Sequence, residues 1–165
     1  MSDDAISPTQ VDATELRAVI GEPIPELAEK EMPVLDQHCR NFISLSPFLF
    51  LGTSGADGRH DVSPRGDPPG FVQVIDDKAL LISERPGNQR TNSMSNILKN
   101  PGVGIILFLP GMEETRRVNG RASVVRDAER LAAMVVNGKI PKFAIRIDID
   151  HVFFHCAKAL KRSKL

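Results

Sequence analysis

What most limits the fold of this chain is how little sequence separates its apolar runs. From Phe48 onward, short apolar stretches follow one another with only turn residues or brief helical patterns between them. A parallel sheet needs a crossover of about a dozen residues or more between neighbouring strands, usually a helix. Those crossovers are missing, so the strands are expected to pair antiparallel through hairpins. Phe48–Leu51 turns through Gly55-Ala56-Asp57-Gly58 into His60–Pro64, and Phe71–Ile75 turns through Asp76-Asp77-Lys78 into Ala79–Ser83. Val103–Leu109 stops at Pro110-Gly111, and Arg116–Val125 follows with Val118, Gly120, Ala122 and Val124 on one face. The clearest alternation is the last, with Phe143, Ile145, Ile147 and Ile149 facing opposite to Lys142, Arg146 and Asp148. Six or seven such strands predict a mainly β fold, an antiparallel split or nearly closed barrel with short flanking helices.

The helical patterns lie mostly ahead of the strands. Thr14 caps a helix through Ile20, which Gly21-Glu22-Pro23-Ile24-Pro25 breaks, and a second helix is expected from Pro33 to Leu45. A third covers Ala128–Val136. Residues 1–46 therefore read as a helical arm and residues 47–165 as the barrel domain.

Lysine plus arginine balance aspartate plus glutamate at 21 each, which argues against a polyanionic partner such as nucleic acid. Cys39 and Cys156 form no CxxC pair, there is no signal-peptide pattern at the acidic N-terminus, and no apolar run reaches membrane-spanning length. A cytoplasmic protein without a membrane partner is the expectation. His151, His155 and Cys156 lack a convergent third ligand for a zinc site, so no metal is expected. Gly55–Gly58 joins strand to strand and is a hairpin, not a dinucleotide fingerprint. Lys99, Arg116 and Arg117 read as a solvated face.

Two polar segments break the apolar rhythm. Ser83–Pro101 leaves a strand, turns on Pro86-Gly87 and enters a helix that Asn100-Pro101 ends, with Arg85, Asn88, Arg90, Thr91 and Asn92 crowded at its start. Donors concentrated at a loop-to-helix junction suit an anion such as a phosphate ester. Asp61–Gly70 holds Pro64, Pro68 and Pro69, which cannot donate to a ladder, so this segment is expected to bulge or to lie at a sheet edge. Its Arg65 either pairs with Asp61 or Asp67 or is aimed into a pocket.

In order, the chain reads Ser-Pro-Arg-Gly-Asp, Pro-Gly-Phe-Val, a strand ending in Ser, Arg-Pro-Gly-Asn-x-Arg, Asn-Ile-Leu-x-Asn-Pro, Val-Gly-Ile-Ile-Leu-Phe-Leu-Pro-Gly and Arg-Val-Asn-Gly-Arg-Ala. From about Phe48 to the end this resembles the pyridoxamine 5'-phosphate oxidase-like flavoproteins of the FMN-binding split-barrel group. The resemblance implies a homodimer with FMN in two clefts between the subunits, acting as an oxidoreductase by hydride transfer through flavin N5. It implies that Asn88, Arg90, Thr91 and Asn92 hold the FMN phosphate, with Arg90 the main charge partner. It further implies that Arg65, Gly66, Phe71 and Val72 line the flavin ring and ribityl chain, that Ser83 bonds near the ring edge, and that Arg162 and Ser163 of the basic tail contact the cofactor. The flavin performs the redox step, so no catalytic side chain is singled out. The oxidase acting on pyridoxamine phosphate carries a C-terminal tryptophan and further cations; this chain has no tryptophan, which leaves the substrate open. The alternatives are a non-catalytic flavin- or haem-binding protein (a sensor, store or carrier) and a deazaflavin-dependent reductase.

Overall fold

The computed structural model describes residues 10–24, 31–85, 87, 89–156 and 158–164. The chain divides into two compact units, residues 1–30 and 31–165. The first contains helix α1 (Ala13–Ile20). Asp12, not Thr14, caps it: its carboxylate accepts the Glu15 N–H at 2.8 Å, and a carboxylate three residues before an open N–H satisfies an orphan donor of the first turn.

The second unit begins at Glu31 and includes helix α2 (Gln37–Leu45). The helix starts later than Pro33. Met32 is held in an antiparallel bridge with Val152, and Asp36 then caps the helix by accepting the Cys39 N–H at 2.6 Å. Cys39, Phe42 and Ile43 face the core from this helix.

Seven strands follow: β1 (Phe48–Ser54), β2 (His60–Gly66), β3 (Val72–Asp76), β4 (Ala79–Ser83), β5 (Gly102–Phe108), β6 (Thr115–Val125) and β7 (Ala144–His155). Their order is β2-β1-β5-β6-β7-β4-β3, every neighbour antiparallel. The fold is thus the expected antiparallel split barrel. Strand β2 lies at an edge, where Pro64 costs no ladder bond, as the prolines required. Between strands sit helix α3 (Asn92–Ile97), helix α4 (Ala128–Ala133) and, after β7, helix α5 (Lys158–Ser163). Helix α4 ends before Val136 because Asn137 and Gly138 both adopt positive φ and turn the chain into a bridge between Val136 and Lys139.

Alternation assigns the faces. Leu49, Leu51, Leu80, Ile82, Ile105, Leu107, Val118, Ile145 and Ile147 fill the interior. All five residues of β4 are buried, because its outer face is also covered: Leu81 packs with Leu131, Met134 and Ala144 under α4. At Gly120 the β6–β7 register slips, and a Cβ there would run into the Asp148 carbonyl, so only glycine fits this bulge. Arg116 corrects the reading of a solvated face. It is 0% exposed, in the interior row of Val118 and Ala122, with its guanidinium over the rings of Phe42 and Phe154.

Candidate functional site

A cleft of about 460 Å³ opens where edge strand β2 approaches the start of β3, the end of β4 and helix α3. Directly paired residues share a sheet face, so Asp61, Ser63 and Arg65 lie on the side of Thr53, Leu51 and Leu49, while Val62, Pro64 and Gly66 share the opposite side with Gly52, Phe50 and Phe48. Edge position leaves the inward row of β2 uncovered by any further strand. Polar groups can stand there without breaking the core.

Those groups form one network. Arg65 Nη1 pairs with the Glu84 carboxylate, and Arg65 Nη2 donates to Ser93 Oγ at 3.2 Å. Ser93 Oγ in turn donates to Asp61 Oδ2 at 2.9 Å. Three separate elements, β2, the exit of β4 and α3, are thereby tied together through side chains. Next to it, Arg85 Nε pairs with Asp67 while its Nη1 donates to the Met134 carbonyl at 2.8 Å. Of the two readings of Arg65, pairing with Asp61 or Asp67 or facing a pocket, the structure has it line the cleft; Glu84 takes it directly, Asp61 reaches it through Ser93, and Asp67 goes to Arg85.

Helix α3 is anchored to the barrel from behind. Asn96 Nδ2 donates to Thr53 Oγ1 at 3.1 Å, and Asn100 Nδ2 donates to Ser54 Oγ at 2.8 Å. The short helix is thus fixed relative to β1, which explains why Asn-Ile-Leu-x-Asn-Pro follows the polar segment: its amides are brackets.

Of the residues singled out from sequence, Arg65, Gly66, Phe71, Ser83, Arg90 and Asn92 line this one cleft. Thr91 lines an adjoining lobe of about 400 Å³ that shares Glu84, Arg85, Gly87 and Arg90 with it. Val72 lies in the core, 2% exposed. Arg162 and Ser163 sit on exposed α5, which does not line the cleft of this chain. Asn88 falls outside the described residues. Sequence reading passed over Asp61, Glu84 and Ser93 as site residues; Glu84 had one signal, a carboxylate placed directly after the fully buried strand β4.

Two buried polar atoms of the lining have no hydrogen-bond partner: Ser83 Oγ and Arg65 Nε. Buried polar groups are nearly always satisfied, so orphans bordering a cleft are a reason to expect a ligand's polar atoms there. An alcohol and a guanidinium N–H suit the carbonyl oxygens and ring nitrogens of a heteroaromatic ligand such as a flavin.

Other chemistries find little support. Burial, followed by the contact with Asp36, pushes the Cys39 thiol up to about 11, so this interior thiol is inert at neutral pH. Among the described residues no three His, Cys, Asp or Glu side chains gather as a ligand set. No helix among them is long and apolar enough to cross a membrane.

With this geometry in hand, the comparisons are consistent. The family model described as pyridoxamine 5'-phosphate oxidase matches residues 35–156, so the chain belongs to the pyridoxamine 5'-phosphate oxidase family. Among solved structures, HupZ of Group A Streptococcus is 18% identical with a TM-score of 0.58, covering 73% of this chain and 93% of that one. A Lactobacillus delbrueckii protein provisionally assigned as a pyridoxamine 5'-phosphate oxidase is 22% identical with a TM-score of 0.57, covering 74% and 95%. An FMN-binding protein of Syntrophomonas wolfei is 16% identical with a TM-score of 0.54, covering 79% and 87%. At these identities the likeness is one of fold. No curated protein matches the sequence.

Proposed function

We propose that the cleft holds FMN and that the protein is a flavin-dependent oxidoreductase acting on a small molecule. The observation that carries this reading is the pair of buried, unsatisfied donors, Ser83 Oγ and Arg65 Nε, both in the cleft lining. Family membership and the FMN bound by a relative of the same fold support it. Arg90, Thr91 and Asn92 would take the phosphate, Ser83 and Arg65 the polar ring edge, and Phe71 with Gly66 the flanks. When bound, FMN supplies a two-electron carrier that accepts a hydride at N5. The chain's part is to bind, orient and shield: among the described residues no side chain in the cleft is placed as an isolated general base, because Asp61 and Glu84 are both engaged within the Arg65 network.

The cleft is also proposed to be completed by a second copy of the chain. Phe48, Phe50, Ile106 and Phe108 present one apolar patch on the outer side of β1 and β5, with Phe50 37% exposed and the Phe48 and Phe50 rings edge-to-face at 5.1 Å. Val62, 68% exposed, and Pro64 continue that patch to the rim of the cleft. A partner seated there would bury the rings and wall the cofactor, as expected of a self-complementary dimer. Sedimentation should give a dimer; a flavin-loaded monomer at micromolar concentration would contradict it.

The first test is the absorption spectrum of purified protein. Bands at ~370 and ~450 nm identify flavin, a Soret band identifies haem, and a colourless protein that fails to take up FMN sinks the proposal. Turnover with reduced nicotinamide then separates an enzyme from a carrier.

A further inference from the structure

The β2 wall of the cleft carries an arginine whose charge is already matched. Arg65 touches one carboxylate directly, Glu84, and a second, Asp61, through Ser93. Both partners of the direct pair are only 17% exposed, so water screens the pair weakly. Both terminal nitrogens are engaged, each through one of its N–H groups, and the inner donor, Nε, is buried without a partner. Arg65 therefore turns a buried, unpartnered Nε–H to a ligand with almost no net charge behind it. That is a poor receptor for a phosphate dianion, which favours bidentate, uncompensated guanidinium contacts, and a good one for an uncharged oxygen or nitrogen acceptor.

We propose that Glu84 is a positioning residue of the cleft: by neutralising Arg65 it makes the β2 wall a place for the uncharged edge of a heteroaromatic ring and limits the positive charge that ring experiences. The inference rests on the flavin reading above. Two-electron reduction of a flavin takes up two electrons and, at N5, one proton, leaving one negative charge on the ring at neutral pH. An uncompensated Arg65 attracts that charge, so the carboxylate of Glu84 holds the reduction potential down.

The test is spectroelectrochemical titration of the FMN-loaded full-length protein. Glu84→Gln should shift the bound flavin towards its reduced form by about tenfold or more, which for a two-electron couple is about 30 mV upward. Glu84→Asp, which keeps the charge, should stay near wild type. Asp148→Asn, which changes net charge equally at a site with a side chain 59% exposed, should leave the potential where it was. The double variant Arg65→Gln/Glu84→Gln removes both charges and should return to within about threefold of the wild-type equilibrium, as expected when two mutations cancel through one pair. Should Glu84→Gln alone fail to fold, Arg65→Gln decides the matter: it leaves the Glu84 charge uncompensated and should shift the flavin towards its oxidised form by a similar factor, and an unchanged potential would overturn the inference. A flavin-loaded wild type and Glu84→Gln of equal potential, or a double variant far from wild type, would overturn this inference while leaving flavin binding intact. A wild type that binds no FMN would instead overturn the reading it rests on.

Discussion

Arg116 is fully buried and Arg65 half-buried, and the two are treated in opposite ways. Arg116, in the barrel interior, has three guanidinium nitrogens without hydrogen-bond partners and lies between aromatic rings, its pKa lowered chiefly by burial. Arg65, on the cleft wall, has carboxylate and hydroxyl partners on two sides and a buried Nε–H without a partner. The interior uses the long side chain as packing volume; the cleft uses its charge and direction. A charge that is matched residue by residue, beside a cavity, is the mark of a site. One that is merely wedged among rings is a matter of shape.

Four substitutions sharpen or break that contrast. Gly120→Ala, which changes only interior shape, should cost about 3 kcal/mol, because the added methyl meets backbone that cannot yield. Urea unfolding measures it, and a loss below about 1 kcal/mol would mean the bulge relaxes freely. Arg65→Met keeps volume but strands the Glu84 carboxylate in a mostly buried position, for a loss of about 2 kcal/mol. Asp36→Ala should cost about 1 kcal/mol at neutral pH by removing the α2 cap. The hydrogen bond from the Cys39 N–H holds the Asp36 carboxyl below its ordinary value of 3.8, so its contribution is complete above that pH and fades as pH falls through the lowered folded value. The gap between wild type and Asp36→Ala should therefore close in acid. Smallest is Arg116→Met, which removes a buried cation while filling its space; stability should hold or rise, within about 1 kcal/mol of wild type. If Arg65→Met and Arg116→Met cost the same, the contrast between the two regions is wrong.

How far sequence reading reached follows the same divide. The hairpins were legible because Gly55–Gly58 and Asp76–Lys78 are turn chemistry between apolar runs, and Pro64 correctly marked an edge. Arg116 was misread although the signal was present: counting back by two from Val118 along the inward row lands on it. A charged residue at a strand end was assumed to face water. The Arg65 network was hidden for a different reason. Its bonds join residues 19, 28 and 32 apart, and which carboxylate meets which guanidinium depends on how β2, the β4 exit and α3 converge. Local pattern named Arg65 and Arg90, and the family resemblance added Ser83, but neither could pair them. The early start of α1 and the late start of α2 relative to expectation were decided by Asp12 and Asp36, capping residues whose competition with nearby Thr14 and Pro33 only the backbone path resolves.

The flavin assignment of the cleft is tested most directly by titrating flavin-free protein with FMN and with riboflavin, for wild type and Arg90→Ala. Wild type should prefer FMN, and Arg90→Ala should lose FMN affinity by on the order of 2–4 kcal/mol, tens- to several-hundred-fold, while riboflavin binding barely changes, because only FMN carries the dianion. Lys99→Ala, on an exposed residue just beyond α3, should leave both affinities unchanged. Equal losses for the two ligands, or no loss for either, would place the phosphate elsewhere and contradict the orientation described here.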